Sequence, residues 1–566
     1  MTGLLPDNLS ARAERNPDRR AYVWLDENGE EKAELSYGEL HARSLAVAQL
    51  LVGRCAPGDR ALLLFPPGLD FIVAYLGCLY ARVIAVPVNP PRQQRVQAAT
   101  RSIVADCAPS AVLTLSGTLD ATRATLAPLC GDSHWLAVDE MQETVDADFR
   151  PEPCAPEDIA FLQYTSGSTA DPKGVLVSHG NLAANEEMIR QAFGHDEHST
   201  VVGWAPHFHD QGLIGNVLQP LWVGATCVLM SPMAFIRRPL LWLTTISRYR
   251  AHTSGGPNFA FDACVARADR GPVPDLDLSC WQVAFNGAEP IRPETLRRFA
   301  DTFAPHGFDE GALYPCYGLA EATLIVTGSR KGRGPRVLTA DVAELGNRRF
   351  VPVADRPGRT LAGSGLVLAG EDVRIVDPHT GEQCGPGRVG EIRVAGAHVT
   401  QGYWQRPDAT ADTFQVAGGR RYLRTGDLGL LVEGELYVVG RLRDLVIIRG
   451  RNYYPQDLEL TAQSAHPAVK PGAGVAFSVP GGDGEKLVLV QEIRREERRT
   501  ADPLEVAGSI RSAITREHQL SVSDVILTLP GQLQKTSSGK LMRTAARLRY
   551  LESGFDPWVP ETPVNA

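Results

Sequence analysis

Ile159-Ala160-Phe161-Leu162-Gln163-Tyr164-Thr165-Ser166-Gly167-Ser168-Thr169-Ala170-Asp171-Pro172-Lys173-Gly174 is the stretch whose reading decides the fold. Its first four residues form an apolar run that predicts a buried strand. A loop of hydroxyls and glycines follows and closes on Lys173. Such a loop can turn several N–H and O–H groups and one ammonium toward a single anion, and a phosphate chain suits it. It is not the common nucleotide loop, in which Gly-Lys-Ser/Thr follows a four-residue gap. Here Lys173 comes six residues after Gly167 and precedes Gly174. Alone, the same residues also fit an ordinary Ser/Thr/Gly surface turn.

On both sides of this stretch the chain alternates strand and helix. Strand 60–64, helix 69–81 and strand 83–88 are followed by strands 111–114 and 135–138. After the loop come helix 181–193, strand 201–204, helix 213–221, strand 226–229 and strand 281–286. This rhythm predicts a parallel sheet with covering helices. Near the start, 21–25 and 33–36 read as two strands about Asn28-Gly29. Strand 281–286 leads into Gly287-Ala288-Glu289-Pro290, and 311–316 leads into Tyr317-Gly318-Leu319-Ala320-Glu321-Ala322-Thr323. Ligands of an open parallel sheet sit at the carboxyl ends of its strands. The phosphate loop and these two exits are therefore expected around one crevice.

From 373 the pattern changes to short, glycine-punctuated strands (390–394, 421–424, 435–439), which predict a small antiparallel β subdomain. Beyond the charged turn Gly440-Arg441-Leu442-Arg443-Asp444 come helix 455–464, strands 474–478 and 487–492, helix 504–518 and strand 525–529. The loop Leu533-Gln534-Lys535-Thr536-Ser537-Ser538-Gly539-Lys540 then opens a basic helix. This last unit, about 125 residues long, has the size of an independent domain. The expected fold class is α/β. A large N-terminal domain (1–441) of parallel α/β subdomains plus a small β subdomain (373–441) precedes a mobile small α/β C-terminal domain (442–566). Leu442-Arg443 is the expected hinge.

Composition narrows the function classes. With 566 residues and 43% hydrophobic content, the chain has material for about three to four packing units. A net charge of −9 argues against dependence on nucleic acid or anionic lipid. The longest apolar run, 71–81, stops at Arg82, short of the roughly 20 residues of a spanning helix, so no integral membrane segment is expected. Residues 1–20 lack an apolar core with a cleavage site, so no signal peptide is expected. Ten cysteines without CxxC spacing predict reduced thiols and a cytoplasmic protein. No Gly-x-Ser-x-Gly element offers a serine nucleophile.

The segments 164–174, 317–323, Tyr422-Leu423-Arg424-Thr425-Gly426-Asp427-Leu428, 440–444 and 535–540 resemble, in order and spacing, the adenylate-forming superfamily. That superfamily includes acyl-CoA synthetases, nonribosomal adenylation domains and luciferases, and the likeness covers nearly the whole chain. Four stretches resemble its fatty acyl-AMP ligase branch. They are Leu63-Leu64-Phe65-Pro66-Pro67-Gly68-Leu69-Asp70-Phe71, His209-Asp210-Gln211-Gly212-Leu213-Ile214-Gly215, Phe285-Asn286-Gly287-Ala288-Glu289-Pro290-Ile291-Arg292 and Gly450-Arg451-Asn452-Tyr453-Tyr454-Pro455-Gln456-Asp457.

The resemblance implies ATP-dependent activation of a fatty acid to its acyl-adenylate with release of pyrophosphate. It further implies transfer to the phosphopantetheine of an acyl carrier protein, or of a carrier domain in a polyketide or nonribosomal peptide synthase. ATP and Mg²⁺ are the implied cofactors. Two anions must meet in such a reaction, which calls for fixed positive charge and metal. By the same resemblance Thr165, Ser166, Gly167, Ser168, Thr169 and Lys173 would hold the leaving phosphates, and Glu321 with Thr169 would bind the metal. Asn286, Gly287, Ala288, Glu289, Pro290, Tyr317, Gly318 and Ala320 would complete the nucleotide site, with Asp427 and Arg441 on the ribose hydroxyls. His209 would line the carboxylate site. Phe208, Gly212, Leu213, Met233, Phe235 and Phe285 would wall the acyl pocket. Lys540, swung in about Arg443, would bridge the carboxylate and the α-phosphate.

Each residue has a plainer reading. Glu321 suits a helix start, Asp427 a turn, and Lys540 a solvated first helical turn. His207 and His209 lack a third metal ligand nearby, and His195 and His198 read as parts of a solvated loop. Gln211 stands where the branch commonly has Met; a polar amide there is compatible with a hydroxylated, unsaturated or shorter acid. The segment 327–365 far exceeds the usual connection of about 4–6 residues. It resembles the extra segment thought to keep the small domain of fatty acyl-AMP ligases from its CoA-using arrangement; the alternative is a basic loop without bearing on specificity. The competing functions are an acyl-CoA synthetase, an enzyme adenylating another carboxylic acid, and a non-catalytic nucleotide-binding regulator. Intact Lys173, Glu321, Asp427 and Lys540 count against the last.

Overall fold

The structure, a computed structural model, describes residues 3–91, 97–141, 145–146, 148–165, 172–481, 484–536 and 540–559. Two sheets build most of it. The first has six strands in the order His134–Ala137, Ala111–Thr114, Arg60–Leu63, Ile84–Pro87, Ile159–Thr165 and Lys173–Ser178. All neighbours run parallel except the last pair. Strands such as Ala111–Thr114 are buried at every position, as expected of a parallel sheet covered on both faces. The helix Asp70–Tyr80 is buried from Phe71 through Tyr80. A helix apolar all round belongs between layers, not on a surface.

The second sheet forms one hydrogen-bonded path. Its parallel part is Leu313–Gly318, Val283–Asn286, Thr253–Gly256, Val201–Gly203, Cys227–Leu229 and Arg20–Leu25, and Glu31–Ser36 closes that edge antiparallel. Beyond Leu313–Gly318 the chain turns back through Ala320–Ala322 into Ile325–Gly328, which pairs antiparallel with it. Leu366–Val367 then passes the ladder to Glu435–Arg441, Arg420–Val432, Gly390–Ala395 and Asp372–Val376. The glycine-punctuated strands are therefore not a separate β layer. The chain leaves the parallel core by a reversal instead of a covering helix, and the ladder continues.

Two other expectations change. The strand Lys173–Ser178 folds back on Ile159–Thr165, with Thr165 opposite Lys173. The phosphate loop thus joins antiparallel strands of the first sheet, whereas the 287–290 and 317–323 exits belong to the second. The crevice lies between two sheets, not along one. The expected helix 213–221 is a π-helix, Gln211–Leu218, followed by the short α-helix Gln219–Val223. Pro220 marks the changeover, since it has no N–H to donate. Wide turns of this kind are frequent at functional sites.

The C-terminal unit has a three-stranded sheet, Val469–Gly481, Gly484–Ile493 and Val522–Thr528. Helices Pro455–Ser464 and Pro503–His518 cover it, and its core includes Leu458, Leu489, Ile510 and Ile514. Within 327–365 the strands Val337–Ala340 and Arg359–Ala362 pair about the helix Val342–Gly346.

His195 is not in a solvated loop: it is 3% exposed. Lys331 donates to His252 Nε2 (2.7 Å), so Nδ1 of His252 carries the proton that meets Thr253 Oγ1 (2.8 Å). The Thr253 hydroxyl donates to His195 Nε2 (2.7 Å), and His195 Nδ1 donates to the Gln219 amide oxygen (3.2 Å). The chain of bonds needs both histidines neutral. Burial agrees, lowering His195 to about 3 and His252 to about 4. His179, 2% exposed, is lowered by burial to about 4.

A pH dependence follows. The unfolded chain protonates these histidines below their ordinary pKa of about 6.5, while the folded chain does not until well below it. Stability is therefore full above pH ~6.5 and falls as pH drops toward 4, by about 1.4 kcal/mol per pH unit for each of buried His179 and His195. The thermal unfolding midpoint, measured calorimetrically, should fall steadily over that range and recover in part when His195 is replaced by Gln. A midpoint flat between pH 6.5 and 4 contradicts this.

Candidate active site

The site is assembled from strand ends. Val283–Asn286 ends at Asn286, which is fully buried; its amide donates to the Gly256 carbonyl (3.1 Å), and its Oδ1 has no partner. The turn that follows holds Ala288 at φ 68°, a left-handed backbone that costs a non-glycine residue about 1 kcal/mol or more. A Cβ on Gly287 would come 3.1 Å from the Cys316 carbonyl, so the two exits touch. The Pro290 carbonyl takes the Asn258 amide (2.9 Å). Glu289 Oε1 is buried without a partner.

The neighbouring exit is equally tight. A Cβ on Gly318 would lie 1.7 Å from the Leu324 carbonyl, so only glycine permits the reversal. Tyr317 donates its hydroxyl to Asp427 Oδ2 (2.9 Å), and Arg441 pairs with Asp427 Oδ1 (3.0 Å). The Asp427 charge raises the Arg441 pKa. Ala320 and Glu321 lie in the 3-10 turn Ala320–Ala322. Thr400 fixes that turn by donating its N–H and its hydroxyl to the Glu321 carbonyl (3.0 Å each).

The first sheet supplies Thr165 and Lys173 across from these exits. Ser166, Gly167, Ser168 and Thr169 lie outside the described residues. Gln163, one turn of pleat earlier, donates to the Phe208 carbonyl (3.0 Å) and so ties the phosphate-loop strand to the 205–210 loop. In that loop His207 stacks on Phe71 with ring centroids 3.9 Å apart, and His209 lies 5.1 Å from the Phe208 ring. Leu213 is fully buried, its N–H donating to the His209 carbonyl (2.7 Å). Phe285 stacks on Phe193 (6.2 Å), and Phe235 on Trp204 (4.1 Å). Met233 stands apart from them, 46% exposed.

Lys540 comes to this cleft from the C-terminal unit. Its side chain is open to solvent. Desolvation and the Arg441 charge lower its pKa, while Asp210, Glu289 and Asp427 oppose that shift. One ammonium from the small lobe thus interacts with Asp210 and Glu289 from two exits of the large lobe and with Asp427 from the strand Arg420–Val432. Among the described residues no group of three or more His, Cys, Asp or Glu side chains could hold a metal ion.

A profile described as AMP-binding enzyme matches residues 9–404. The chain belongs to that family. The AMP-domain profile of Disco-interacting protein 2-like proteins matches residues 443–556. This AMP-binding enzyme is 41% identical over 576 residues to the medium-chain-fatty-acid–[acyl-carrier-protein] ligase JamA of Moorena producens, covering 99% of this chain and 97% of that one. It is 37% identical over 585 residues to the long-chain-fatty-acid–AMP ligase FadD32 of Mycolicibacterium smegmatis, covering 95% and 92%. Among solved structures, the fatty acyl-adenylate ligase from L. pneumophila in complex with acyl adenylate and pyrophosphate shares 38% identity. The TM-score is 0.75, and 98% of this chain and 97% of that one are covered.

One residue of this AMP-binding enzyme that the sequence reading passed over is Tyr403. It is 7% exposed, donates its hydroxyl to Glu321 Oε1 (2.9 Å) and carries Lys173 Nζ over its ring, 4.9 Å from the centroid. It joins the carboxylate of one sheet to the ammonium of the other. A hydrogen bond to a charged group contributes about 1.5–3 kcal/mol. Tyr403→Phe should therefore slow ATP-dependent pyrophosphate release by about 10–10²-fold, and Tyr403→Leu, which also removes the ring, by more. Steady-state kcat/KM for ATP checks both; parent-like rates in the Phe variant would leave the hydroxyl without a role.

Proposed function

We propose that the enzyme joins ATP and a fatty acid into an acyl-adenylate and then passes the acyl group to the phosphopantetheine of an acyl carrier protein or carrier domain. The observation that carries this is the position of Lys540: a cation from the small lobe, opposite Asp210, Glu289 and Asp427 of the large one. A fatty carboxylate attacks the α-phosphorus, a P–O bond to the new anhydride forms, and the bond to pyrophosphate breaks. Lys540 offsets the repulsion between the two anions as they meet. Lys173, seated over Tyr403, holds the leaving phosphates, and Asp427 with Arg441 orients the ribose. His209 and the loop behind it line the carboxylate's approach.

Glu321 fits a Mg²⁺ ion, because Mg²⁺ is commonly held by one or two carboxylates with waters and substrate phosphates. Tyr403 fixes that carboxylate. Bound there, the ion would neutralise charge on the phosphate chain. The acyl tail would run along Phe208, Gly212, Leu213, Phe235 and Phe285, with Met233 at its outer end.

The proposed domain division is 1–441 and 442–566, with 327–365 as an insertion that favours the adenylate-forming arrangement. Arg359 supports this reading by pairing with Asp457 (3.0 Å) and lying over the Tyr454 ring (4.5 Å). So does Asn452, whose amide donates to the Gly346 carbonyl (2.8 Å). The relatives' names favour fatty acids and a carrier protein. A cytoplasmic site is part of the reading: all ten cysteines are free, and among the described residues no helix is long and apolar enough to cross a membrane.

The test is to incubate the protein with ATP, Mg²⁺ and a panel of acids of graded chain length, including hydroxylated and unsaturated ones. Acyl-AMP and pyrophosphate are then measured, with coenzyme A or a phosphopantetheinylated carrier added afterwards. Adenylate with fatty acids and thioester on the carrier alone is expected. Thioester on coenzyme A would make it an acyl-CoA synthetase, and no adenylate with any acid would end the proposal.

A further inference from the structure

We propose that Arg543 is a positioning residue that locks the Lys540 loop to the hinge, through Asp444, while the adenylate forms. The inference rests on the adenylating role proposed for Lys540. That lysine leaves a hairpin: Thr536 N–H donates to the Lys540 carbonyl (2.8 Å), Lys540 N–H donates to Thr536 Oγ1 (3.1 Å), and Met542 N–H donates to the Gln534 carbonyl (3.0 Å). These bonds shape the loop, and Leu533 N–H, donating to Glu492 Oε1 (3.1 Å), ties its start to the sheet of the small lobe. Arg543, three residues past Lys540, ties its end.

Its guanidinium spans two carboxylates. Nε and Nη2 each meet Glu459 at 2.7 Å, and Nη1 donates to Asp444 Oδ2 (3.2 Å). The three side chains are largely buried, 25% exposed for Arg543 and 13% each for Glu459 and Asp444. Glu459 belongs to the helix Pro455–Ser464 and also accepts the Ala476 N–H (3.0 Å), so this arm is anchored in the body of the small lobe. Asp444 is different: it ends the 3-10 turn Leu442–Asp444, which directly follows the Arg441 that grips Asp427.

The turn is thus flanked by two charged anchors. Arg441 fastens it to the large lobe, and Asp444 fastens it, through Arg543, to the loop that carries Lys540. A change of backbone at 442–444 is passed to Lys540 through a rigid fork and not through a free loop. The planar fork is what makes this possible, since a lysine could not hold both carboxylates at once.

The test separates the two arms. Asp444→Asn removes the hinge arm's charge and leaves the Glu459 pair in place. It should lower kcat for pyrophosphate release by about tenfold or more, as expected when a reacting group is misplaced by less than an ångström. KM for ATP and the unfolding midpoint should stay near the parent's. Transfer of acyl groups from supplied acyl-AMP to a phosphopantetheinylated carrier should be far less affected, because Lys540 has no part in that step. Arg543→Lys should lower kcat at least as much as Asp444→Asn, because a lysine cannot hold both carboxylates at once. In a Lys540→Ala background, Asp444→Asn should cause no further loss, because residues acting as one unit are not additive.

A twofold or smaller effect of Asp444→Asn beside a large effect of Lys540→Ala would overturn the inference and leave the role of Lys540 standing. Parallel loss of both half-reactions together with a lowered midpoint would make Asp444 merely structural and overturn it as well. A Lys540→Ala protein as active as the parent would remove the reading underneath, and the inference with it.

Discussion

Lys540→Ala should lower acyl-adenylate formation by about 10²–10³-fold or more, while ATP binds almost as before. The two effects separate because Lys540 comes from the small lobe, whereas Tyr317, Asp427, Arg441 and Lys173 all belong to the large one. Loss of hydration and the Arg441 charge lower its pKa, while Asp210, Glu289 and Asp427 oppose that shift. Its proposed contribution is to the moment when carboxylate and phosphate approach. Pyrophosphate release at saturating fatty acid reads the rate, and calorimetric titration with ATP reads the binding. A rate within threefold of the parent's would remove Lys540 from the mechanism. Lost ATP binding would mean that it serves the ground state instead.

Gly212→Ala is the second large effect. A Cβ there would lie 2.0 Å from the Pro206 carbonyl oxygen, 2.7 Å from its carbon and 2.9 Å from the Ala205 carbonyl oxygen. All three are backbone atoms, so the 205–210 loop itself must move. That loop carries Phe208, His209 and Asp210, and a displacement of about an ångström is enough to cost 10²-fold in rate. The accompanying loss of stability should be about 1–3 kcal/mol, as for other overpacked sites. Gly117→Ala is the control. It lies in the helix Ser116–Cys130 with open space around its Cβ position, so the change should leave activity alone and add up to ~1 kcal/mol of stability. Comparable activity in the two variants would mean that the loop adapts without harm.

Much of this architecture was legible from local pattern. Apolar runs located the strands, and glycine with charge marked the exits at 287–290 and 317–323. The charged turn at 440–444 is the expected boundary between the lobes, and the structure places there the 3-10 turn Leu442–Asp444. Strand pattern does not say which sheet a strand joins, so it does not show that the phosphate loop reaches the 287–290 and 317–323 exits from a different sheet. Nor does it show that Ile325–Gly328 reverses and continues the ladder, because a short apolar strand reads the same in either direction. His195 looked solvated beside Asp196 and Glu197, and only Thr253 and Gln219, distant in the chain, explain its burial. Tyr403 left no signal of its own. A tyrosine between glycine and tryptophan reads as packing, and its partners Lys173 and Glu321 meet it only in the fold.

The unbroken second sheet has a mechanical consequence. The adenine-side exits and Asp427 are rows of one ladder that runs from Asp372–Val376 to Glu31–Ser36. A plate laced in that way resists bending across its width, so the large lobe is poorly built to clasp a nucleotide by flexing. On the expected mobility of the small domain, travel during turnover would fall on a tether of three residues, where a few degrees of backbone rotation would be magnified by the length of the small lobe into a long arc at its tip.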